Sequence, residues 1–332
     1  MIRVTNCIKQ KEYIIYKLYI LDIIDIMSFS NRDVFMEPRT VQYGSHMVTT
    51  NVHKTHKSKY ISLDTKYRDD FSYSHVVNYN ITLPEKVSDV KTMKIHSVEL
   101  PGSLLNVSSD LGNNTFKMVS NSNIAIIVVP DGKYTETTLQ DAIQTEINGS
   151  GSNTSDMIID ISNQGIGYVT KLKSSNSDIA IDFSVRNGCQ DQLDSQNFTT
   201  SLGWMLGFRK PTLDITTSDT ISTSLLNLNV PSYLYLAIDE YQTGNQNNFL
   251  TPLSNSLINK NIIARISIDN KTYGFGNVMI ANEGNGLLVS SLREYSSMID
   301  LQKLNVKLIY DNGKIANLQG LDLSLVLEIV HE

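Results

Sequence analysis

The last thirty residues constrain the fold most. In D-L-S-L-V-L-E-I-V (322–330), Leu323, Leu325, Leu327 and Ile329 share one parity, and Asp322, Ser324, Val326 and Glu328 take the other. Strict period-two alternation is what a strand with one buried face requires; a helix would scatter these leucines round its circumference. Just upstream, Asp311-Asn312-Gly313 divides two apolar runs in K-L-N-V-K-L-I-Y-D-N-G-K-I-A-N-L (303–318). Asn-Gly supplies positive φ angles, so this stretch predicts a hairpin with a type I′ turn. The same grammar recurs at 60–65, 76–83, 90–100, 233–239, 262–268 and 276–281, with Pro84 and Pro101 read as the stops of the second and third runs. Short strands separated by turns and long loops predict a mainly β fold, an antiparallel jelly-roll-like β-sandwich.

One region departs from that grammar. I-A-I-I-V-V (124–129) reads as a buried strand ended by Pro130-Asp131-Gly132. Y-T-E-T-T-L-Q-D-A-I-Q-T-E-I-N-G (134–149) then reads as a helix, capped by Thr135 or Thr137, striped by Leu139, Ala142, Ile143 and Ile147, and ended by Asn148-Gly149. A hairpin turning at Asn163-Gln164-Gly165 and a strand at 179–185 follow. Residues 115–210 are therefore an α+β insertion between the sandwich parts 60–114 and 231–332, with 211–230 as a loop. Upstream, 27–59 reads as a flexible arm and 1–26 as an N-terminal extension. Residues 13–26 are apolar, but Lys17, Asp22 and Asp25 make them too charged and too short for a bilayer-crossing helix. Met27 opens M-S-F-S-N-R-D, an ordinary soluble N-terminus.

Composition excludes several functions. A net charge of -6 does not suit a protein that wraps nucleic acid. The basic stretch 51–68, with Lys54, Lys57, Lys59, Lys66 and Arg68, reads as a solvated arm rather than a contact for an acidic partner. Two cysteines, Cys7 and Cys189, make neither a disulfide framework nor a zinc spacing. His53-Lys-Thr-His56 lacks a third ligand nearby, so no metal is expected, and Asp64, Asp69 and Asp70 read as turn acceptors rather than an acid/base pair. Arg68 is expected to pair with one of them at the surface. No phosphate loop, dinucleotide fingerprint or nucleophile elbow occurs, so no catalytic residue and no cofactor is assigned and the chain reads as a non-enzyme.

The most informative phrase is S-L-G-W-M-L-G-F-R-K (201–210), with the chain's one tryptophan. As a strand it would put Leu202, Trp204, Leu206 and Phe208 on one face. As a short helix it would be capped by Ser201, with Gly207 left-handed at its end and Phe208 folded back towards Leu202. The helix accounts for more of the residues. Either reading buries Trp204. The group Trp204, Gly207, Phe208, Arg209 and Lys210 is then either a packing device or an interface hot spot with a cationic rim.

S-L-G-W-M-L-G-F-R resembles a segment of structural proteins of large nucleocytoplasmic DNA viruses, of the mimivirus and phycodnavirus kind. Y-I-S-L-D-T-K-Y-R-D (60–69), L-P-E-K-V-S-D-V-K-T-M-K-I-H-S-V-E-L-P (83–101), V-P-D-G-K-Y-T (129–135) and R-E-Y-S-S-M-I-D-L-Q-K-L-N-V-K-L-I-Y-D-N-G (293–313) fit the same resemblance, in order, across 60–332. It implies a virion component, a jelly-roll minor capsid or penton-like protein that assembles with the major capsid protein and other capsid subunits as an oligomer in host cytoplasm. It supplies no catalytic residues. The alternative is a surface attachment or fibre-like protein that holds a receptor or glycan in its sandwich loops through Tyr233, Tyr235, Tyr241 and Tyr273. Mass spectrometry of the native N-terminus is expected to find it at Met27; peptides from 1–26 would overturn that start.

Overall fold

The computed structural model describes residues 56–69, 71, 76–120, 123–151, 154–175, 178–185, 195–241, 249, 261–270 and 272–332. The extension, nearly all of the arm, and both cysteines lie outside the described residues. In chain order the strands begin with β1 (Lys57–Asp64) and β2 (Asn78–Pro101). The insertion follows with β3 (Thr115–Ser120), β4 (Asn123–Val128), α1 (Glu136–Asn148), β5 (Met157–Asn163), β6 (Tyr168–Ser174), β7 (Ile179–Asp182), α2 (Leu202–Met205), β8 (Thr212–Ile215) and β9 (Thr220–Ile221). The chain then returns through β10 (Tyr233–Asp239), β11 (Ile262–Ser267), β12 (Val278–Asn282), β13 (Leu288–Ser290), β14 (Arg293–Tyr310) and β15 (Ser324–His331).

The fold is mainly β, as the alternation predicts: an eight-stranded antiparallel sheet ordered β1-β15-β2-β14-β10-β11-β13, with β12 also on β2. It curls in a jelly-roll-like way. Leu63, Ile95, Leu236, Ile266, Met279, Leu288, Val306 and Leu327, one from each strand, all bury into one core, which a flat sheet could not arrange. Each such side chain contributes about 1.5–3 kcal/mol. In β15, Leu325, Leu327 and Ile329 face that core, as the alternation requires.

The curl comes from β2, which runs 24 residues without the stop expected at Pro84. Its Asn78–Thr82 pairs with Lys303–Lys307 of β14, its Val90–Glu99 with β15, and its Ser97–Pro101 with β12. All three register shifts against β14 fall between Thr82 and Thr92, and within that bend Asp89 adopts φ 56. Bulges bend and twist a strand, so one chain serves both sides of the curl. Pro84 lies exposed in this bend, where no ladder amide is needed.

Other expectations shift in detail. β1 starts at Lys57, within the segment expected to be an arm. The 311–313 turn is not type I′: Gly313 has φ 85, Asn312 is not left-handed, and Gly313 N donates to Tyr310 O at 3.0 Å. Beyond it only a single bridge, Ile309 to Ile315, continues the hairpin, because β14's edge is already held by β10 and β2. The segment 211–230, expected as a loop, carries β8 on β7 and β9 on β6, completing the insertion's two sheets. The helix stands as read, with a capping box between Thr135 and Thr138 and with Leu139, Ile143 and Ile147 buried.

Polar stitches hold the joints. Asn106, fully buried, exchanges hydrogen bonds with Tyr134, donating to its carbonyl and accepting from its amide, each at 2.8 Å. It also reaches Leu228 O at 3.4 Å, so the outgoing and returning crossovers are bonded to one side chain. Within the sheet, buried Arg293 donates to Glu240 Oε2 at 2.6 Å, Ile238 O at 2.8 Å and Asn261 O at 2.9 Å. Arg293→Ala leaves Glu240 buried without its counter-ion and is expected to cost about 3–5 kcal/mol, read from urea unfolding; the double change Arg293→Met with Glu240→Leu should recover most of that loss.

Candidate functional site

The phrase at 201–210 folds as the helix reading requires. Ser201 Oγ accepts from Trp204 N at 3.4 Å to cap α2. At the other end Phe208 N donates to Gly203 O at 2.9 Å and Gly207 N to Trp204 O at 3.1 Å, while Gly207 holds φ 95. These paired bonds, six-to-one and five-to-two, are a Schellman ending. A chain with Cβ at 207 would be strained at that φ.

The two glycines are fixed by contact as well. A Cβ on Gly203 would lie 2.3 Å from Phe183 Cγ, and one on Gly207 would lie 2.1 Å from Ser224 O. α2 is therefore pressed against the insertion's core on one side and against its returning segment on the other. Phe208, 2% exposed, stacks on Phe183 with centroids 5.7 Å apart, and Phe183 meets Phe116 at 5.6 Å. Asn227 N donates to Met205 O at 2.9 Å, and Asn113 Nδ2 approaches Met205 Sδ at 3.8 Å. One four-residue helix thus touches the start, middle and end of the insertion.

Trp204 differs from expectation. It is only partly buried, packed against the core's margin with its ring edge-on to Phe198 at 5.7 Å. Its outer face carries the Arg209 guanidinium, 4.0 Å from the ring centroid and bonded to the carbonyls of Trp204 at 3.0 Å and Phe208 at 2.9 Å. The reason is geometric: Gly203 and Met205 take the inward faces of so short a helix, so the intervening side chain stands at the rim. Arg209 and Lys210 are both exposed. Trp204, Arg209 and Lys210 form an aromatic-cationic surface on a rigid base of Gly207 and Phe208.

The other candidates are placed as follows. Asp64 Oδ1 accepts from Lys66 N at 2.9 Å, and Asp69 accepts from Thr82 N at 2.9 Å and Thr82 Oγ1 at 2.7 Å; Asp70 lies outside the described residues. Arg68 is not at the surface. It is buried, donating to Thr65 O at 2.7 Å, 3.6 Å from Asp322 and 4.4 Å from the Phe71 ring centroid. His56 is exposed near Lys91, and His53 lies outside the described residues. Among the described residues no three His, Cys, Asp or Glu side chains gather as a metal site, and no helix is long and apolar enough to cross a membrane.

The tyrosines do not line one groove. Tyr235 is buried, Tyr233 lies beneath Arg265 at 4.1 Å, Tyr241 caps Asn80 at 2.6 Å, and Tyr273 packs on the sheet core. A small cleft beside Tyr273 holds Lys133, whose ammonium donates to Asn270 Oδ1 at 2.9 Å and whose pKa burial lowers. Lys133 carries no sequence motif, whereas Arg209 and Lys210 are the cationic rim that the phrase 201–210 marks.

No family model matches the chain, and no curated protein matches its sequence. Among solved structures it is similar to the mavirus penton protein, with a TM-score of 0.43 and 8% sequence identity over 83% of this chain and 99% of that one.

Residues 201–208, the clasp of the insertion, give a graded test. Gly207→Ala should cost at least about 1–3 kcal/mol from backbone strain alone, and Gly203→Ala about 1–3 kcal/mol from displacing Phe183. Trp204→Ala should cost less than the about 3–5 kcal/mol of a fully buried aromatic. Circular dichroism during urea unfolding orders the three, with Gly207→Ala expected to be the most damaging.

Proposed function

We propose that this chain is a non-enzymatic structural component of a large DNA virus particle, a minor capsid or penton-like protein that assembles with the major capsid protein and other capsid subunits. One observation carries the reading: the phrases that resemble those virion proteins are the phrases that build the frame. Residues 60–69 supply most of β1 and the turn that returns Asp69 to β2. Residues 83–101 are the bend and second half of β2, 129–135 run into the Asn106–Tyr134 joint, 293–313 are β14 and its turn, and 201–209 are the clasp. A likeness concentrated on framework residues is what a protein whose product is shape would display.

In this reading the Trp204–Arg209–Lys210 surface and the insertion that carries it face a neighbouring subunit. Tryptophan and arginine are enriched at interface hot spots, and repetition in a symmetric shell turns weak contacts into strong ones. The chain works in the virion, after assembly in host cytoplasm, without a cofactor, a metal or a specific nucleic acid. Cross-linking in purified virions should join this chain to the major capsid protein, and Trp204→Ala with Arg209→Ala should weaken that cross-link. Absence from purified particles would overturn the reading.

A further inference from the structure

The curled sheet leaves one seam open. The outer edge of β1 faces the first half of β2 across a groove of ≈ 590 Å³. Its floor is apolar, lined by Ile61, Leu63, Ile81, Leu83 and Val87. Lys59 and Glu85 form an ion pair across it, so side chains rather than backbone bonds span the two edges.

The edges differ. Thr65 N donates to Leu323 O at 3.1 Å, which makes the odd-numbered residues of β1 the ones bonded to β15, since the register runs without a shift from Lys57 to Asp64. In an antiparallel ladder the alternate residues then point both N–H and C=O outward, so Tyr60 and Ser62 present their backbone groups to the groove. Among the described residues no backbone group pairs with them. By the same logic Leu308 N on Val77 O turns Asn80 and Thr82 of β2 towards the groove, and Pro84 lines it. That edge is partly closed: Asp69 N donates to Asn80 O at 2.8 Å, Asp69 Oδ1 accepts from Thr82 N at 2.9 Å, and Pro84 has no N–H. Natural sheets blunt exposed edges with such devices; here they fall on the β2 side of the seam.

We propose that this groove is a strand-addition site, in which an uncharged extended segment of another polypeptide pairs antiparallel with Tyr60 and Ser62 of β1 and sets its alternate side chains on the Ile61, Ile81 and Leu83 floor. The occupant follows from the lining. An edge with exposed N–H and C=O groups asks for a backbone. Lys59 and Glu85 neutralise each other, and Asp64 is turned to Lys66 N, so the floor offers neither sign of charge. The six residues Lys59–Asp64 along one wall match a segment of about 20 Å at roughly 3.3 Å per residue. The inference rests on backbone geometry and stands apart from the virion reading.

The full chain, immobilised, is panned with a phage-displayed library of random linear peptides, and the enriched peptide is synthesised. Enriched sequences are expected to alternate apolar and polar residues without charge on the apolar parity. Bound peptide should slow amide hydrogen exchange at Tyr60 and Ser62. Methylating the peptide nitrogens of the β1-facing parity should weaken binding about tenfold or more, whereas methylating the other parity should not. Ser62→Pro, which removes an outward donor and no bond to β15, should do the same from the protein's side. Failure to enrich any peptide, enrichment of charged or helical peptides, protection elsewhere, or indifference to the methylated parity would each overturn the site. The peptide-side change keeps the test valid even where Ser62→Pro fails to fold.

Discussion

The bend in β2 is the constraint on which the rest depends. A single strand pairs with β14 from Asn78 through the bend to Met93, and with β15 and β12 from Val90 to Pro101. Whatever fixes the angle between the two ends of β2 fixes the angle between the two sides of the curled sheet. The angle is set by bulges between Thr82 and Thr92 and by the left-handed Asp89, and it is held by side chains on the concave side. Val87 and Val90 are buried on either side of Asp89, so the bend cannot open without exposing both to water. Lys86 and Asp300 pair at 2.6 Å on its outer surface, where such a bridge adds little. The bend is held from the inside.

The clasp works on a different principle. In the sheet, apolar area decides; at 201–208, absence of atoms decides. Gly203 and Gly207 are needed because Phe183 and the Ser224 carbonyl occupy the volume that any side chain would claim. Two close approaches of one short helix let it touch three distant parts of the insertion. The consequence is an outward side chain, Trp204, whose base cannot shift. Arg209 is fixed twice over, by the Trp204 ring and by two carbonyls at the helix end, which suits its charge, since helix C-termini favour cations.

Much of this was legible in the sequence where the signal is local. β15 follows from the parity of its leucines, α1 from Thr135 and the stripe at Leu139, Ile143 and Ile147, and the Schellman ending from Gly207 followed by Phe208. Features decided by distant partners were not. Pro84 reads as a stop because a proline forfeits an amide, yet β2 continues, since Pro84 falls in the register shift between Thr82 and Val87, where no ladder bond to β14 is due. Arg68 reads as a surface cation because it lies in a polar turn; Thr65 O and Asp322, more than two hundred and fifty positions along the chain from one another, draw it inward. The first part of β14 was hidden because Glu294, Ser296 and Ser297 are polar and exposed, and period-two reading sees only strands with a buried face. Trp204 reads as buried yet stands at the rim for a simpler reason: a four-residue helix has too few positions to turn every large side chain inward.

Buried polar side chains tie the joints of the fold. Asn106 bonds to the segment ahead of α1 and to the returning chain at Leu228, and Asn113 Nδ2 donates to Asn106 O at 2.7 Å. The two crossovers between sheet and insertion are therefore tied to each other before either reaches the sheet. Paired crossovers with a shared buried amide resist rotation, because any twist must break bonds that no water can replace. Arg293 does the equivalent within the sheet, bonding to residues before and after the chain segment that joins β10 to β11.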